Sequence, residues 1–293
     1  MAVAFLFPGQ GSQKLGMGKE FAYTGVFDEV DEALGEKFSD LIFGDDAELL
    51  NQAENAQPAL LAASIAAFRA AGVKGDFVLG HSLGEIPALV ASEALGLSDA
   101  ARLLRARGLA MKQAASGAML ACLGLPIEQV RELSAGIDGL YVANDNCPGQ
   151  VVVSGTSEAI AKAEEAFKNA GAKRAVKLAV TVPAHSPLMA PAAVAMEKLL
   201  ADLVISAPKI PFISNCSAKQ EDSPEVIKQH LVIQMTHGVR FRECVQYLAL
   251  RSVSKVIEFG AGNVLCGLVK RTVEGIETFT VEGKEDINVL ACK

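Results

Sequence analysis

The sequence predicts an α/β protein: a mostly parallel sheet with flanking helices, carrying one small inserted subdomain. Three observations lead there. Short apolar runs alternate with helix-length stretches along the chain, the pattern of strand–helix–strand crossovers. The hydrophobic fraction is 51% while aromatics make up 5% and tryptophan is absent, so the core is built from Ala, Leu and Val, which suits layered packing. The stretch 118–182 has a rhythm of its own, with strands and helices in a different order from the rest.

The elements follow in order. An apolar strand at 3–8 leads into a glycine-rich turn, Pro8-Gly9-Gln10-Gly11-Ser12-Gln13. Residues 57–71, QPALLAASIAAFRAA, read as a buried helix. Phe77-Val78-Leu79 is a strand running straight into Gly80-His81-Ser82-Leu83-Gly84. The next helix starts near Ser98, with Ser98 as N-cap and Asp99 in the first turn. Strands at 118–125, 140–144, 150–154 and 175–182, with helices at 127–135 and 158–170, spell β-α-β-β-α-β, the split unit of ferredoxin-like folds. The chain therefore divides into a large α/β domain, 1–117 with 183–293, and a ferredoxin-like subdomain at 118–182. Past it, Ser186 is placed to cap and Pro187 to occupy the first position of a helix reaching 203, and 212–215 and 255–259 return as core strands.

Composition removes several function classes. A length of 293 residues suits one large domain, or one large and one small. No apolar run reaches the roughly 20 residues of a membrane span, and Met-Ala-Val-Ala-Phe-Leu-Phe-Pro reads as a first strand rather than a leader. A cytoplasmic protein without a membrane partner is expected. The net charge of −7 argues against nucleic acid, though not against a local basic patch that docks an acidic protein. Cys122, Cys147, Cys216, Cys244, Cys266 and Cys292 are scattered with no C-x-x-C pair, so neither a metal site nor a disulfide framework is expected.

The strongest chemical signal is Gly80-His81-Ser82-Leu83-Gly84, a G-x-S-x-G between a strand and a helix, the setting of a nucleophile elbow on an α/β-hydrolase-like core. The glycines permit close backbone approach, the serine hydroxyl is held exposed, and N–H groups at the helix start can stabilise an oxyanion. The pentapeptide alone is common, but its context favours catalysis over an ordinary turn. A serine hydroxyl needs a base. His81 adjoins Ser82 in sequence and is expected to point away from it, and His230 and His237 lie in polar, irregular surroundings and are expected to be solvated. His185, in Thr181-Val182-Pro183-Ala184-His185-Ser186-Pro187, stands where a strand ends and a helix begins, the place an open α/β sheet gives to ligand-facing residues. From the residues alone, a catalytic base and a satisfied, partly buried imidazole stay equally open.

Arg107 shares a helix face with Leu103, Leu104 and Met111, whereas Arg102 and Arg105 fall on other faces. An arginine in an apolar stripe is costly unless an anion meets it, and a guanidinium can grip a carboxylate with two parallel hydrogen bonds. An internal Asp or Glu and a substrate carboxylate are both open as that anion. Gly9-Gln10-Gly11 is too short for a phosphate cradle; it is a tight turn or a backbone donor beside the nucleophile. Lys173 and Arg174 form a minor basic pair, solvated by default.

Taken together, these residues resemble the malonyl-CoA:acyl carrier protein transacylase family, which includes the acyltransferase domains of polyketide and fatty-acid synthases. The likeness spans nearly the whole chain: Phe7-Pro8-Gly9-Gln10-Gly11-Ser12-Gln13, Gln57-Pro58-Ala59, Gly80 to Glu85, Arg107-Gly108, Asn146 to Val152, Val182-Pro183-Ala184-His185, Gln234, and Gly260 to Leu265. It implies a Ser82–His185 dyad without an obligatory acidic third member, the main-chain carbonyl of Gln234 orienting the imidazole, and the N–H groups of Gln10 and Leu83 as oxyanion hole. Arg107 would bind the free carboxylate of malonate, Gln57 and Asn146 would line the pocket, and Lys173 and Arg174 would gain weight as carrier-docking residues. The implied reaction is ping-pong: malonyl-CoA acylates Ser82, CoA leaves, and the phosphopantetheine thiol of acyl carrier protein takes the acyl group, with no metal and no tightly held cofactor. The pathway implied is fatty acid biosynthesis, with methylmalonyl-CoA in polyketide synthesis as the neighbouring alternative.

The chain departs from the family pattern at Ile86-Pro87, where an aromatic and then a small residue are usual, and at His237-Gly238. Both bear on the shape of the acyl pocket. The rival readings are a serine esterase or thioesterase, which would need an Asp or Glu against His185, and a non-catalytic acyl- or carrier-binding module.

Overall fold

In the computed structural model, which describes residues 2–291, the first strand, β1 (Ala2–Phe7), has its last four residues buried. Strand alternation explains how. Phe5 and Phe7 point to one face, where Phe5 meets the rings of Phe68 and Phe259 edge-on at 5.5 and 5.3 Å. Ala4 and Leu6 point to the other, into a second apolar cluster with Phe241, Val245 and Leu248. A strand apolar on both faces is a central strand of a helix-covered sheet.

The remaining strands among the described residues are β2 (Phe77–Gly80), β3 (Ala118–Leu123), β4 (Leu140–Cys147), β5 (Gln150–Gly155), β6 (Arg174–Lys177), β7 (Phe212–Ile213), β8 (Gln220–Glu221), β9 (Val253–Phe259) and β10 (Glu277–Val281). The larger sheet has the order β10-β9-β1-β2-β7-β8, parallel except for the β7–β8 pair. From β1 the chain steps to β2 and β7 on one side, then returns to β9 and β10 on the other. A crevice opens beyond the carboxyl ends where such a reversal occurs. The Gly9-Gln10 turn after β1 and the Ser82 turn after β2 both lie there.

Two helices carry the next layer. Ala53–Ala71 is buried from Glu54 to Ala67 and packs along Leu97–Ala114. Their contact is close because Gly108 has no side chain: a Cβ there would stand 2.5 Å from the Glu54 backbone. That approach brings Arg107 beside Gln57.

The second sheet, β4-β5-β3-β6, is antiparallel throughout. Leu120, Cys122, Val151 and Val153 face the helices Ile127–Ala135 and Ser157–Asn169 in a separate cluster. The alternate residues Met119, Ala121 and Val152 face the crevice. A parallel bridge between Asn144 and Val239 and the Arg242–Asp145 ion pair at 2.8 Å tie this sheet to the large one.

Several boundaries differ from expectation. The helix predicted from Gln57 begins at Ala53 and carries Pro58 inside it, forgoing one helical hydrogen bond. Ser98 is not an N-cap: the helix starts at Leu97 after Gly96, and the Ser98 hydroxyl donates to Glu29. Ser186 makes no cap either, since its hydroxyl donates to the Pro183 carbonyl at 2.6 Å. A 3-10 turn at Pro187–Met189 precedes the α-helix Ala190–Ala201. The strand expected to reach 182 ends at Lys177; the irregular chain after it leads to His185. Pro87 does not break the helix Glu85–Ala91, because it falls in the first turn, where an N–H would have no helical partner. No described helix is long and apolar enough to cross a membrane, and no described cluster of His, Cys, Asp or Glu could hold a metal ion. Cys292 lies outside the described residues.

Candidate active site

The turn after β2 doubles back so sharply that both its glycines are required. A Cβ on Gly80 would stand 1.9 Å from the Gly84 carbonyl carbon, and one on Gly84 would stand 2.2 Å from the Phe7 carbonyl oxygen. Ser82 sits at its tip with a φ of 55°, a left-handed conformation that non-glycine residues rarely adopt. Asn215, at the carboxyl end of β7, clamps the turn: its Oδ1 accepts from Ser82 N–H and its Nδ2 donates to the Gly80 carbonyl, both at 2.8 Å.

Ser82 Oγ lies 2.8 Å from His185 Nε2, and His185 Nδ1 lies 2.8 Å from the main-chain oxygen of Gln234. A carbonyl only accepts, so Nδ1 carries the hydrogen and Nε2 presents its lone pair to the serine hydroxyl. Burial, then the nearby Arg107 charge, pushes the imidazole down to about 3, so it is neutral at neutral pH with its Nε2 lone pair free.

Arg107 is 3% exposed. Its Nη1 donates to Gln57 Oε1 at 2.9 Å and its Nη2 to Gln234 Oε1 at 3.2 Å, while Nη2 also lies 3.5 Å from Ser82 Oγ. These are neutral oxygens. Among the described ion pairs none involves Arg107, so the internal partner left open by the sequence is absent there. Burial draws the guanidinium down to about 10, against the pull of Glu85. Glu85 itself is fully buried, accepting from Asn215 N–H at 2.5 Å and from Gln234 Nε2. Burial pushes its carboxyl up to about 8, opposed by those donors and by Arg107.

These groups border a cavity of about 260 Å³ walled by both sheets, with Gly9, Gln10, Ser82, Leu83, Arg107 and His185 on the large-sheet side and Met119, Ala121, Asn146 and Val152 opposite. A Cβ on Gly9 would come within 2.8 Å of the His81 carbonyl, so glycine there lets the Gln10 loop lie against the serine turn. Asn146 lines the cavity and its Oδ1 lies 2.8 Å from His81 Nε2. Gln57 does not line it; it is buried behind Arg107 and reaches the site through that side chain. Lys173 and Arg174 are exposed at the start of β6 and are not among the lining residues. His230 differs from expectation, being only partly exposed with Nδ1 3.0 Å from Ser214 Oγ, while His237 is exposed as expected. Gly238 has a local cause: a Cβ there would stand 2.8 Å from the Val142 carbonyl and obstruct the bridge to β4.

Reasoning from the sequence missed Glu85, Asn215 and the inward-facing ring of His81. Asn215 had one usable signal, a polar residue at the carboxyl end of a core strand beside the serine turn. Glu85 appeared only as part of a motif. The assembled arrangement offers a serine with a neutral base on its hydroxyl and, within reach of the same oxygen, a guanidinium that makes no direct ion pair among the described residues.

Comparison with known proteins adds the following. The acyl transferase domain family matches residues 4–290. The chain is 44% identical over 302 residues to the malonyl CoA-acyl carrier protein transacylase of Bacillus subtilis (strain 168), covering 98% of this chain and 95% of that protein. Superposition on the acyl-carrier-protein-S-malonyltransferase of Bartonella henselae gives a TM-score of 0.96 at 43% identity, covering 100% of this chain and 99% of that one. A malonyl-transacylase solved in complex with its type II polyketide acyl-carrier protein gives 0.94 at 37% identity, covering 99% and 98%.

Proposed function

This chain belongs to the malonyl CoA-acyl carrier protein transacylase family, within the acyl transferase domain, and from that premise we propose that it transfers malonyl from malonyl-CoA to the phosphopantetheine thiol of acyl carrier protein through an acyl-enzyme on Ser82. One observation carries the reading: Arg107 Nη2 lies 3.5 Å from Ser82 Oγ and pairs only with neutral oxygens. In malonyl the free carboxylate and the thioester carbon are separated by a single methylene. A site for it therefore needs an uncompensated cation beside its nucleophile.

The reaction proceeds in two halves. His185 Nε2 takes the Ser82 proton as Oγ attacks the thioester carbonyl carbon. The N–H groups of Gln10 and Leu83 stabilise the oxyanion, and the Gln234 carbonyl steadies the transient imidazolium through Nδ1–H. Collapse breaks the C–S bond, and Nε2–H gives its proton to the departing CoA thiolate. The second half reverses this with the carrier's thiol, whose proton passes to Nε2 and then back to Ser82 Oγ. A thioester is already activated, so the mechanism calls for no metal and no resident cofactor. Arg107 holds the carboxylate in both halves, Asn146 with His81 lines the thioester side, and Gln57 supports Arg107.

The hydrolase alternative needs a carboxylate on His185 Nδ1, and a main-chain oxygen occupies that place. We read the β3–β6 sheet with its two helices as the ferredoxin-like subdomain, residues 118–182. The parallel sheet bearing the Ser82 turn, 1–117 with 183–293, we read as the hydrolase-like core. Lys173 and Arg174, exposed at the start of β6, are proposed to help dock the acidic carrier protein. We propose a cytoplasmic place in fatty acid biosynthesis.

Intact mass after brief exposure to malonyl-CoA, and again after adding phosphopantetheine-bearing carrier protein, tests the reading. A malonyl adduct on Ser82 that moves to the carrier is expected. An adduct lost to water at the same rate with or without carrier would overturn transfer in favour of hydrolysis.

A further inference from the structure

We propose that Glu85 is a positioning residue for the guanidinium of Arg107, acting through the side-chain amide of Gln234; the proposal rests on the reading of Arg107 as the carboxylate site. The geometry is a relay. Gln234 Nε2 donates to Glu85 Oε2 and to the Ser82 carbonyl at 3.1 Å, while Gln234 Oε1 accepts from Arg107 Nη2 at 3.2 Å. An amide has a donor end and an acceptor end. Glu85 turns an oxygen to one side of this amide, and Arg107, which can only donate, lies on the other. A single orientation satisfies both.

The other carboxyl oxygen of Glu85 accepts from Asn215 N–H at 2.5 Å, and Asn215 clamps the Ser82 turn. One buried side chain thus joins the nucleophile's turn to the arginine. It does so without pairing to the arginine directly. Gln234 and Gln57 hold the guanidinium between two carbonyl oxygens, so its position is set while its charge stays available to a ligand. An acid placed in direct contact would have neutralised it.

Glu85→Gln discriminates this role from simple packing. Glutamine is nearly the same size, but only one of its ends accepts. With that end on Asn215 N–H, its NH2 group faces Gln234, and the Gln234 amide must turn over to accept, directing its own NH2 at Arg107. At pH 9, where the Glu85 carboxyl is ionised and both its oxygens accept, single-turnover acylation by malonyl-CoA is expected to fall about tenfold or more in kcat/KM, chiefly through KM. Acylation by acetyl-CoA, which lacks the carboxylate, should fall far less, losing only the support of the Gln234 amide on the Ser82 carbonyl. In an Arg107→Ala background the same substitution should cause no further loss. Gln234→Met removes the amide while keeping the main-chain oxygen on His185. It should lower malonyl loading by a larger factor than acetyl loading, which also loses the bond to the Ser82 carbonyl, and it keeps the test decisive if the Glu85 variant does not fold. Equal losses for malonyl and acetyl, or losses that add to that of Arg107→Ala, would overturn the relay. Wild-type protein that takes up no malonyl would instead sink the function proposed above. A malonylated wild type with Glu85→Gln indistinguishable from it would sink the relay alone.

Discussion

Ser82 and His185 face each other at 2.8 Å, and both hold left-handed backbone conformations, with φ of 55° and 58°. Non-glycine residues pay about 1–3 kcal/mol for such geometry. The surrounding bonds impose it, namely the Asn215 clamp on one residue and the Gln234 carbonyl on the other. Replacing Ser82 by glycine should therefore relieve strain while abolishing acylation. Ser82→Gly is expected to be more stable than Ser82→Ala by about 1 kcal/mol in denaturant unfolding, with neither variant taking up malonyl.

Arg107→Ala should cut malonyl loading about a hundredfold, the scale of two lost hydrogen bonds to a charged group, and leave acetyl loading nearly intact. Parallel single-turnover measurements with the two thioesters decide it. If both fall together, Arg107 serves the fold rather than the substrate.

The pH dependence of acylation should lack the usual imidazole limb. His185 is held down at about 3, so the base is already deprotonated well below neutrality, and the rate of Ser82 acylation by acetyl-CoA, which does not call on Arg107, should stay flat as pH falls from 8 to 5. A half-maximal point near 6.5 would contradict this.

Stability should carry two opposing slopes. His185 binds its proton more weakly folded, at about 3, than its ordinary 6.5; its contribution is present above 6.5 and is lost as pH falls toward 3. Glu85 binds its proton more tightly folded, at about 8 against 4.5; its contribution is full below 4.5 and is lost as pH rises toward 8. Glu85→Gln should accordingly gain stability relative to wild type between pH 5 and pH 8, measured by denaturant unfolding at each pH. A constant difference would show that Glu85 does not titrate there.

Gly108→Ala tests how the arginine is placed. The added methyl would stand 2.5 Å from the Glu54 backbone, so the helices must separate. A loss of about 1–3 kcal/mol in unfolding free energy is expected, with malonyl loading impaired more than acetyl loading because Arg107 moves with its helix.

What could be read in advance was mostly local. The Gly80–Gly84 turn was legible because tight backbone geometry demands glycine at fixed spacing, and the strands and helices of 118–182 because their periodicities switch within a few residues. Boundaries were less legible where capping is decided by neighbours. Ser98 and Ser186 have the chemistry of caps, but each found another partner, Glu29 and the Pro183 carbonyl respectively. His230 looked solvated because its sequence neighbours are polar, yet Ser214 meets it from a distant segment.

By itself the sequence determined which groups were available: a serine in a turn that only glycines can make, a histidine two residues ahead of a proline-led helical segment, and an arginine on an apolar helical face. Tertiary structure alone decided how they are wired. Glu85, Gln234 and Arg107 come from segments separated by 149 and 127 positions along the chain, and Asn215 reaches Ser82 across 133. Local periodicity carries no information at such separations. The orientation of one buried amide, and the unpaired charge that follows from it, exist only once the sheet order and the contact at Gly108 have brought those segments together.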